Sequence, residues 1–390
     1  MKIFRHILVL LSVTLVACTP SSVPNKTLSV DIDNAMSPNQ VDMFDLCTIF
    51  QPDSNILIGN IRKFLCFNSF FYIMDGEQMK VYILDKKGSQ VSMIDRKGHA
   101  HNEYIDLNDI FIDETRKELY LLSRGSEKLL VYDIMGKKLL RTHSLPKHFC
   151  AMEKTDNGYV GYMGNYTEDS SHPYNFFVLN EQLEIIDEGV EINPETEGRY
   201  NRDIPVFSKT MDGINMIAEN DYRIYLFDNK EINVSYEIDF GDLAYPKSEN
   251  IYVDDPIKQM QLDANYIKRF QRIQETSDYL FIYFMYQGQN YVSVYDKENK
   301  ESLCIFLNDG IKDLFPMSFG NIVGTDNDMI ISTVDADYIH DLYRGGNEHN
   351  DFDKMYPNEM KNLRHTIDKV NYNNINPYII VYKVSHHNKI

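Results

Sequence analysis

The sequence has no tryptophan, few cysteines and a deficit of positive charge. Its 390 residues include 58 Asp and Glu against 39 Lys and Arg, which gives a formal net charge of −19. Such an acidic surface repels phosphate backbones, so nucleic acid is not expected as a partner. The absence of Trp weakens a carbohydrate-stacking role, because Trp offers the largest stacking surface, although Tyr could replace it.

The motifs that mark common enzymes and metal proteins are missing as well. The sequence has no CxxC pair, no His/Cys cluster with zinc spacing and no twelve-residue calcium loop. It also lacks a Ser-centred nucleophile elbow, a phosphate-binding Gly loop and a dinucleotide fingerprint. Because these motifs are missing, the sequence gives no indication of a metal, a cofactor or a catalytic residue.

The first seventeen residues form a targeting segment. Two basic residues precede the apolar run from Ile7 to Val16, which is too short to span a bilayer and is placed like the core of a signal peptide. The run ends in Leu15-Val16-Ala17-Cys18, which resembles the lipobox of bacterial lipoproteins and implies cleavage before Cys18 and acylation there. The alternative is an ordinary signal peptide with a chance cysteine.

Residues 18–40 are predicted to be a lipidated, flexible tether, since they are rich in Ser, Pro, Asn and Thr. Membrane contact is expected through the lipid at Cys18 alone, at the outer membrane. In related bacteria an acidic run after the lipidated cysteine tends to accompany export to the cell surface. Here Thr19-Pro20-Ser21-Ser22 is neutral, which favours the periplasmic side.

One strand-like pattern, such as Tyr82-Ile83-Leu84-Asp85, returns along the chain. The polar residues that end successive copies are 48, 47, 48, 68 and 87 positions apart. A period of about 40 to 50 residues with four strand-like segments is typical of propeller blades, because one blade must stack on its neighbours to bury its apolar faces. The two long steps indicate insertions at about 241–264 and 337–373.

The count of copies predicts a ring of six blades. The chain ends soon after the third strand of the sixth blade, whereas residues Phe44 to Phe50 form a spare strand ahead of the first. Joining these two strands in one sheet would remove the open edges of a linear array. We therefore predict a single all-β domain over 41–390. It is a monomeric six-bladed β-propeller of four-stranded blades with short helical insertions, including a helix around 357–370.

Several segments resemble the six-bladed β-propeller lipoproteins of Gram-negative bacteria, which are related in architecture to NHL-repeat propellers. The resemblance rests on Asp85-Lys86-Lys87-Gly88, the segments 95–104 and 108–113, and the C-terminal segment 376–382. It covers essentially all of the mature chain and implies the fold and the lipid anchor. It implies almost nothing about activity, because most of the family has no assigned function.

The loop 97–106 carries the first group of candidate binding residues, which are His99, His101, Glu103 and Tyr104. His99, His101 and Glu103 are two apart, so on an extended segment they could face one ligand or metal, or act as acid and base. In the family this loop usually contains small or Pro residues where His99 and His101 stand. The alternative is that Glu103 and Tyr104, which match the family, hold the loop itself.

A second candidate is the basic pair Arg199 and Arg202 in the loop 193–204. Two guanidinium groups on an acidic protein could clamp a carboxylate or a phosphate. The alternative is that they form ion pairs with Glu195, Glu197 or Asp203 nearby.

The state of the remaining cysteines is open. Cys47, Cys66, Cys150 and Cys304 could form disulfides in three pairings outside the cytosol. Each lies among aromatic or aliphatic residues in a predicted strand, where a buried free thiol also packs well.

These observations favour a binding or scaffolding module over an enzyme. The module would act in the cell envelope beside a transporter or sensor, and would hold a partner protein or a small ligand on its loop face. One alternative is a hydrolase or lyase that uses a metal held by a carboxylate ring in the central channel. Another is a purely structural envelope component.

Overall fold

The computed structural model describes residues 26–37, 41, 43–194, 197–198, 205–219, 221–246, 255–307, 322–337 and 373–384. These residues form six antiparallel sheets of four strands, one of which gains a fifth short strand at its edge. The predicted six-bladed β-propeller is therefore confirmed.

The strands follow the chain in order within each of the first three blades. Blade one contains β3 (Ile61–Phe67), β4 (Phe70–Asp75), β5 (Lys80–Asp85) and β6 (Gln90–Ile94). Blade two contains β7 (Asp109–Asp113), β8 (Glu118–Ser123), β9 (Lys128–Asp133) and β10 (Leu139–Ser144). Blade three contains β11 (Ala151–Thr155), β12 (Gly158–Tyr162), β13 (Tyr174–Asn180) and β14 (Ile185–Glu191).

The other three blades include two strands from the N-terminal segment. Blade four contains β15 (Phe207–Thr210), β16 (Gly213–Ile217), β17 (Arg223–Phe227), β18 (Ile232–Asp239) and the added β1 (Thr27–Ser29). Blade five contains β19 (Phe270–Glu275), β20 (Tyr279–Tyr286), β21 (Gln289–Asp296) and β22 (Glu301–Phe306). Blade six contains β23 (Ile322–Asp326), β24 (Met329–Val334), β25 (Tyr378–Val384) and β2 (Phe44–Phe50).

The core lies between neighbouring blades. All six residues of β8 are buried, because both faces of this strand pack against another sheet, whereas the outer strand β14 is largely exposed. Between blades two and three, the ring of Phe111 stacks on Tyr120 at 4.8 Å and meets Tyr159 at 6.2 Å. The strands that are apolar along their whole length are thus the ones that pack against a neighbouring blade on both faces.

In the first five repeats, the polar residue that closes the repeat caps the turn between the third and fourth strands. The Asp85 carboxylate accepts hydrogen bonds from the backbone N–H groups of Lys87 at 2.8 Å and Ser89 at 3.0 Å. Corresponding bonds are made by Asn180, Asp228 and Asp296. A short side-chain acceptor at the start of a turn stabilises it, which explains why Asp or Asn recurs there.

The N-terminal strand closes the ring. Strand β2 pairs antiparallel with β25, from Phe44 opposite Val384 to Phe50 opposite Ile379. It becomes the outermost strand of blade six, as the missing fourth strand predicts.

Part of the segment expected to be a flexible tether packs on the propeller. Strand β1 pairs in parallel with β18, and Leu28 is buried there. Further along, the N–H of Met36 donates to the carbonyl of Cys304 in blade five at 2.8 Å. The tether prediction is therefore wrong for residues 26–37: unpaired edges of β18 and β22 offer backbone partners to a polar segment.

The insertion at 241–264 contains a 3₁₀ turn, Gly241–Leu243, and helix α1, Pro256–Asp263. The Asp255 carboxylate caps α1 by accepting from the N–H of Ile257 at 3.0 Å. The helix predicted at 357–370 lies outside the described residues.

Two further questions from the sequence concern membrane helices and disulfides. Within the described ranges, no helix combines the length and apolarity that a membrane crossing requires. Cys47, Cys66, Cys150 and Cys304 are all free thiols.

Candidate binding channel

The innermost strands β3, β7, β11, β15, β19 and β23 surround a cavity of about 170 Å³. Each of these strands begins where a link from the preceding blade arrives, so the cavity has a link face at one mouth and hairpin turns at the other. Charged side chains from several blades line it, including Lys63, Asp109, Glu153, Lys209, Arg272 and Asp326.

A buried ion pair joins blades one, two and three. The Nζ of Lys63 lies 2.7 Å from Oδ1 of Asp109, while Oδ2 of Asp109 accepts a hydrogen bond from the N–H of Met152 at 3.1 Å. Burial raises the pKa of Asp109 above its usual range, and the charge of Lys63 offsets part of that effect. One carboxylate thus holds three inner strands together.

A second ion pair joins blade four to blades three and two. The Nζ of Lys209 lies 3.0 Å from Oε1 of Glu153 and donates to the carbonyl of Ile112 at 3.2 Å. Burial alone would lower the pKa of Lys209, but Glu153 and the acidic groups beyond it raise it above its ordinary value. Lys209 therefore stays charged, and its pairing ties the channel wall across three blades.

Asp326 lies at the hairpin mouth, and no Lys, Arg or His of the described ranges forms an ion pair with it. Burial, together with the charge of Glu114, raises its pKa to about 6, although Lys209 partly offsets this. The folded state therefore binds a proton at Asp326 more tightly than the unfolded state does. Stability from this group should fall as pH rises from about 4 to about 6, and above that range the ionised carboxylate is a constant cost.

We therefore expect Asp326→Asn to stabilise the protein at pH 7.5 by at most about 3 kcal/mol. The amide oxygen can still accept the hydrogen bond from Nδ2 of Asn327, which lies 3.0 Å from the carboxylate. Urea unfolding of both proteins between pH 4 and pH 7.5 checks this. The difference should shrink toward zero near pH 4, and a variant less stable than the parent at pH 7.5 would contradict it.

Arg272 enters the cavity wall from blade five. One of its Nη atoms donates to the carbonyl of Ile322 in blade six at 3.3 Å, and burial lowers its pKa to about 10, so it is cationic at neutral pH. Among the described residues, no carboxylate pairs with it. Beside it, Nε2 of Gln274 donates to the carbonyls of Asn327 and Met329 at 2.8 and 3.1 Å, which joins the same two blades.

The loop 97–106 places its candidate residues in two different environments. His99 and His101 are exposed to solvent. In the part of the chain that the structure describes, no three His, Cys, Asp or Glu side chains gather as a metal site would require. Binding by His99 and His101 stays a prediction.

Glu103 and Tyr104 hold this loop. The Glu103 carboxylate accepts from the N–H of Ala100 at 3.0 Å. Tyr104 is fully buried, and its hydroxyl donates to the carbonyl of Met79 at 2.7 Å and accepts from the N–H of Arg96 at 3.2 Å. The contacts agree with the loop-holding alternative. Arg199 and Arg202 lie outside the described residues.

Sequence reasoning missed the channel residues, although a signal was present. The second and third strands of each blade are largely apolar, whereas inner strands carry charges at positions such as Lys63, Asp109 and Arg272. A charge in the first strand of successive repeats could have indicated a shared polar channel.

Comparisons with known proteins identify the fold and the family. The structure of a "Putative exported protein" from Bacteroides fragilis matches with a TM-score of 0.71 and 18% identity, covering 92% of this chain and 99% of that one. The structure of a DUF4221 family member from Bacteroides vulgatus matches with a TM-score of 0.49 and 9% identity, covering 88% of this chain and 98% of that one. No curated protein sequence matches the chain. The model of the DUF4934 family, described as a domain of unknown function, matches residues 52–383, so this six-bladed propeller belongs to that family.

Proposed function

We propose that the protein is a binding module of the cell envelope, anchored by a lipid at Cys18, that holds a partner protein or a small ligand on its link face and in its channel. The supporting observation is the construction of the channel wall. Lys63 with Asp109, and Lys209 with Glu153, pair across blade boundaries and make the wall rigid around an open cavity. A preformed concave site loses little entropy on binding.

The envelope location rests on the N-terminal segment. The lipobox-like residues 15–18 follow a short apolar run of signal-peptide type. The Bacteroides fragilis protein is described as a "Putative exported protein", which is consistent with that location. The neutral residues after Cys18 favour the periplasmic side of the outer membrane and a place beside a transporter or sensor.

Crosslinking in the native envelope tests this function. His101 lies in the link between blades one and two, and the sequence predicts that Arg199 and Arg202 belong to the corresponding link after blade three. Replacing all three with Ala should therefore reduce capture of the crosslinked partner severalfold without changing the unfolding transition. The matched control replaces the exposed Lys86, Lys87 and Lys137, which lie in turns on the opposite face.

The control variant should capture as much partner as the parent protein. Equal capture by both triple variants would reject the link face as the binding surface. Metal that copurifies with the protein, together with a thermal shift on adding calcium, magnesium, manganese or zinc, would instead support the hydrolase or lyase alternative.

A further inference from the structure

Among the described residues, no carboxylate pairs with the guanidinium of Arg272 in the cavity wall. Lys63 and Lys209 each contact a carboxylate within 3.0 Å, whereas the described contact of the Arg272 guanidinium is one neutral carbonyl, that of Ile322. Removing a cation from water is costly unless an anion and hydrogen bonds replace the water. An unpaired guanidinium beside an open cavity is therefore a site that an anion would stabilise.

The chemistry around Arg272 suits a carboxylate. A guanidinium presents planar pairs of N–H donors that match the two oxygens of a carboxylate. The hydroxyls of Ser208 and Thr325 line the same cavity and can donate further hydrogen bonds.

Size and charge narrow the class of ligand. A volume of about 170 Å³ is close to that of an engineered cavity that accepts benzene, so the ligand has fewer than about ten non-hydrogen atoms. Glu153 and Asp326 line the same channel, and their charges disfavour a second negative charge on the ligand. A monocarboxylate satisfies both conditions better than phosphate does.

We propose that the channel binds a small monocarboxylate on the guanidinium of Arg272, between blades five and six. This inference rests on the proposed binding function and names the class of small ligand that the channel holds.

Thermal unfolding and calorimetry with the full chain test the proposal. The probes are acetate and benzoate, each compared with its neutral isostere, acetamide or benzamide, at constant ionic strength set with chloride. At about tenfold excess over Kd, a carboxylate should raise Tm by about 2 °C, and its amide should not. Arg272→Gln should abolish the difference, and Arg272→Lys should reduce it, because an ammonium cannot form the bidentate contact.

The control variant is Arg141→Gln in the outer strand of blade two, where the guanidinium is already paired with Glu118. It should keep the full difference between carboxylate and amide even if its own Tm changes. Ligand-free Arg272→Gln should be at least as stable as the parent, since it removes an unpaired charge. A structural role for Arg272 predicts the opposite.

Three results would overturn the proposal: no carboxylate shifts the parent protein, Arg272→Gln keeps the shift, or phosphate binds more tightly than either carboxylate. Asp309 and Asp313 precede Ile322 in the link 308–321, outside the described residues. If replacing both with Asn creates carboxylate binding that the parent lacks, the chain's own carboxylate occupies Arg272. The titration uses no partner protein, so its failure leaves partner capture on the link face to be judged by crosslinking alone.

Discussion

A chain that begins at residue 41 should fold into a stable propeller, whereas a chain that begins at residue 51 should not. The two differ by strand β2, the outermost strand of blade six. Ile49 and Phe50 are buried in this strand, and the ring of Phe50 stacks on Phe71 of blade one at 5.0 Å. Strand β2 therefore completes one blade and also joins the last blade to the first.

Replacing Phe50 alone with Ala should lower the free energy of unfolding by about 3 to 5 kcal/mol, as is usual for a buried phenylalanine. Losing the whole strand should cost more and expose the edge of β25, which can then pair with other chains. Urea unfolding followed by circular dichroism, with size-exclusion chromatography, measures both effects.

The chain that begins at residue 41 is the control, because it lacks β1 and the tether but keeps β2. Equal unfolding transitions for the two shortened chains would show that β2 does not close the ring.

Closure could be predicted from the sequence because it follows from counting. The repeat ends in Asp or Asn wherever a third strand turns into a fourth, and Asp85, Asp228 and Asp296 form that turn in the structure. Such a turn is a local interaction, so its signal is present in each of the five copies in which a turn joins the third strand to the fourth. Blade six lacked a fourth strand, and the segment Phe44–Phe50 was a strand without a blade. Pairing the two was the arrangement that left no open sheet edge.

The ion pairs of the channel and the packing of β1 could not be predicted in the same way. Lys63 and Asp109 are 46 positions apart, and Lys209 and Glu153 are 56 positions apart, so no local sequence pattern predicts either ion pair. Strand β1 is three residues long and pairs through backbone groups, for which residue type matters little. Both depend on the tertiary placement of blades rather than on the repeat.

Asn376 is another long-range contact, and replacing it with Leu should destabilise the protein by roughly 2 to 6 kcal/mol, because the buried carbonyl of Ile56 and the buried N–H of Ile58 would lose their partner. Its side chain is 1% exposed. Its Nδ2 donates to the carbonyls of Asp53 at 3.0 Å and Ile56 at 2.8 Å, and its Oδ1 accepts from the N–H of Ile58 at 2.9 Å. The residue thereby fastens the link from β2 to β3 against the start of β25.

Ile375→Ala provides the matched control, because this neighbour is 70% exposed and its replacement should change the unfolding free energy by less than about 0.5 kcal/mol. Urea unfolding of both variants gives the comparison. Leu has the branched shape of Asn but carries no polar side-chain atom, so a loss below about 1 kcal/mol would mean that water replaces the three hydrogen bonds. A large loss would show that the segment 376–382, on which the family resemblance rests, is held by a polar contact as well as by its apolar strand.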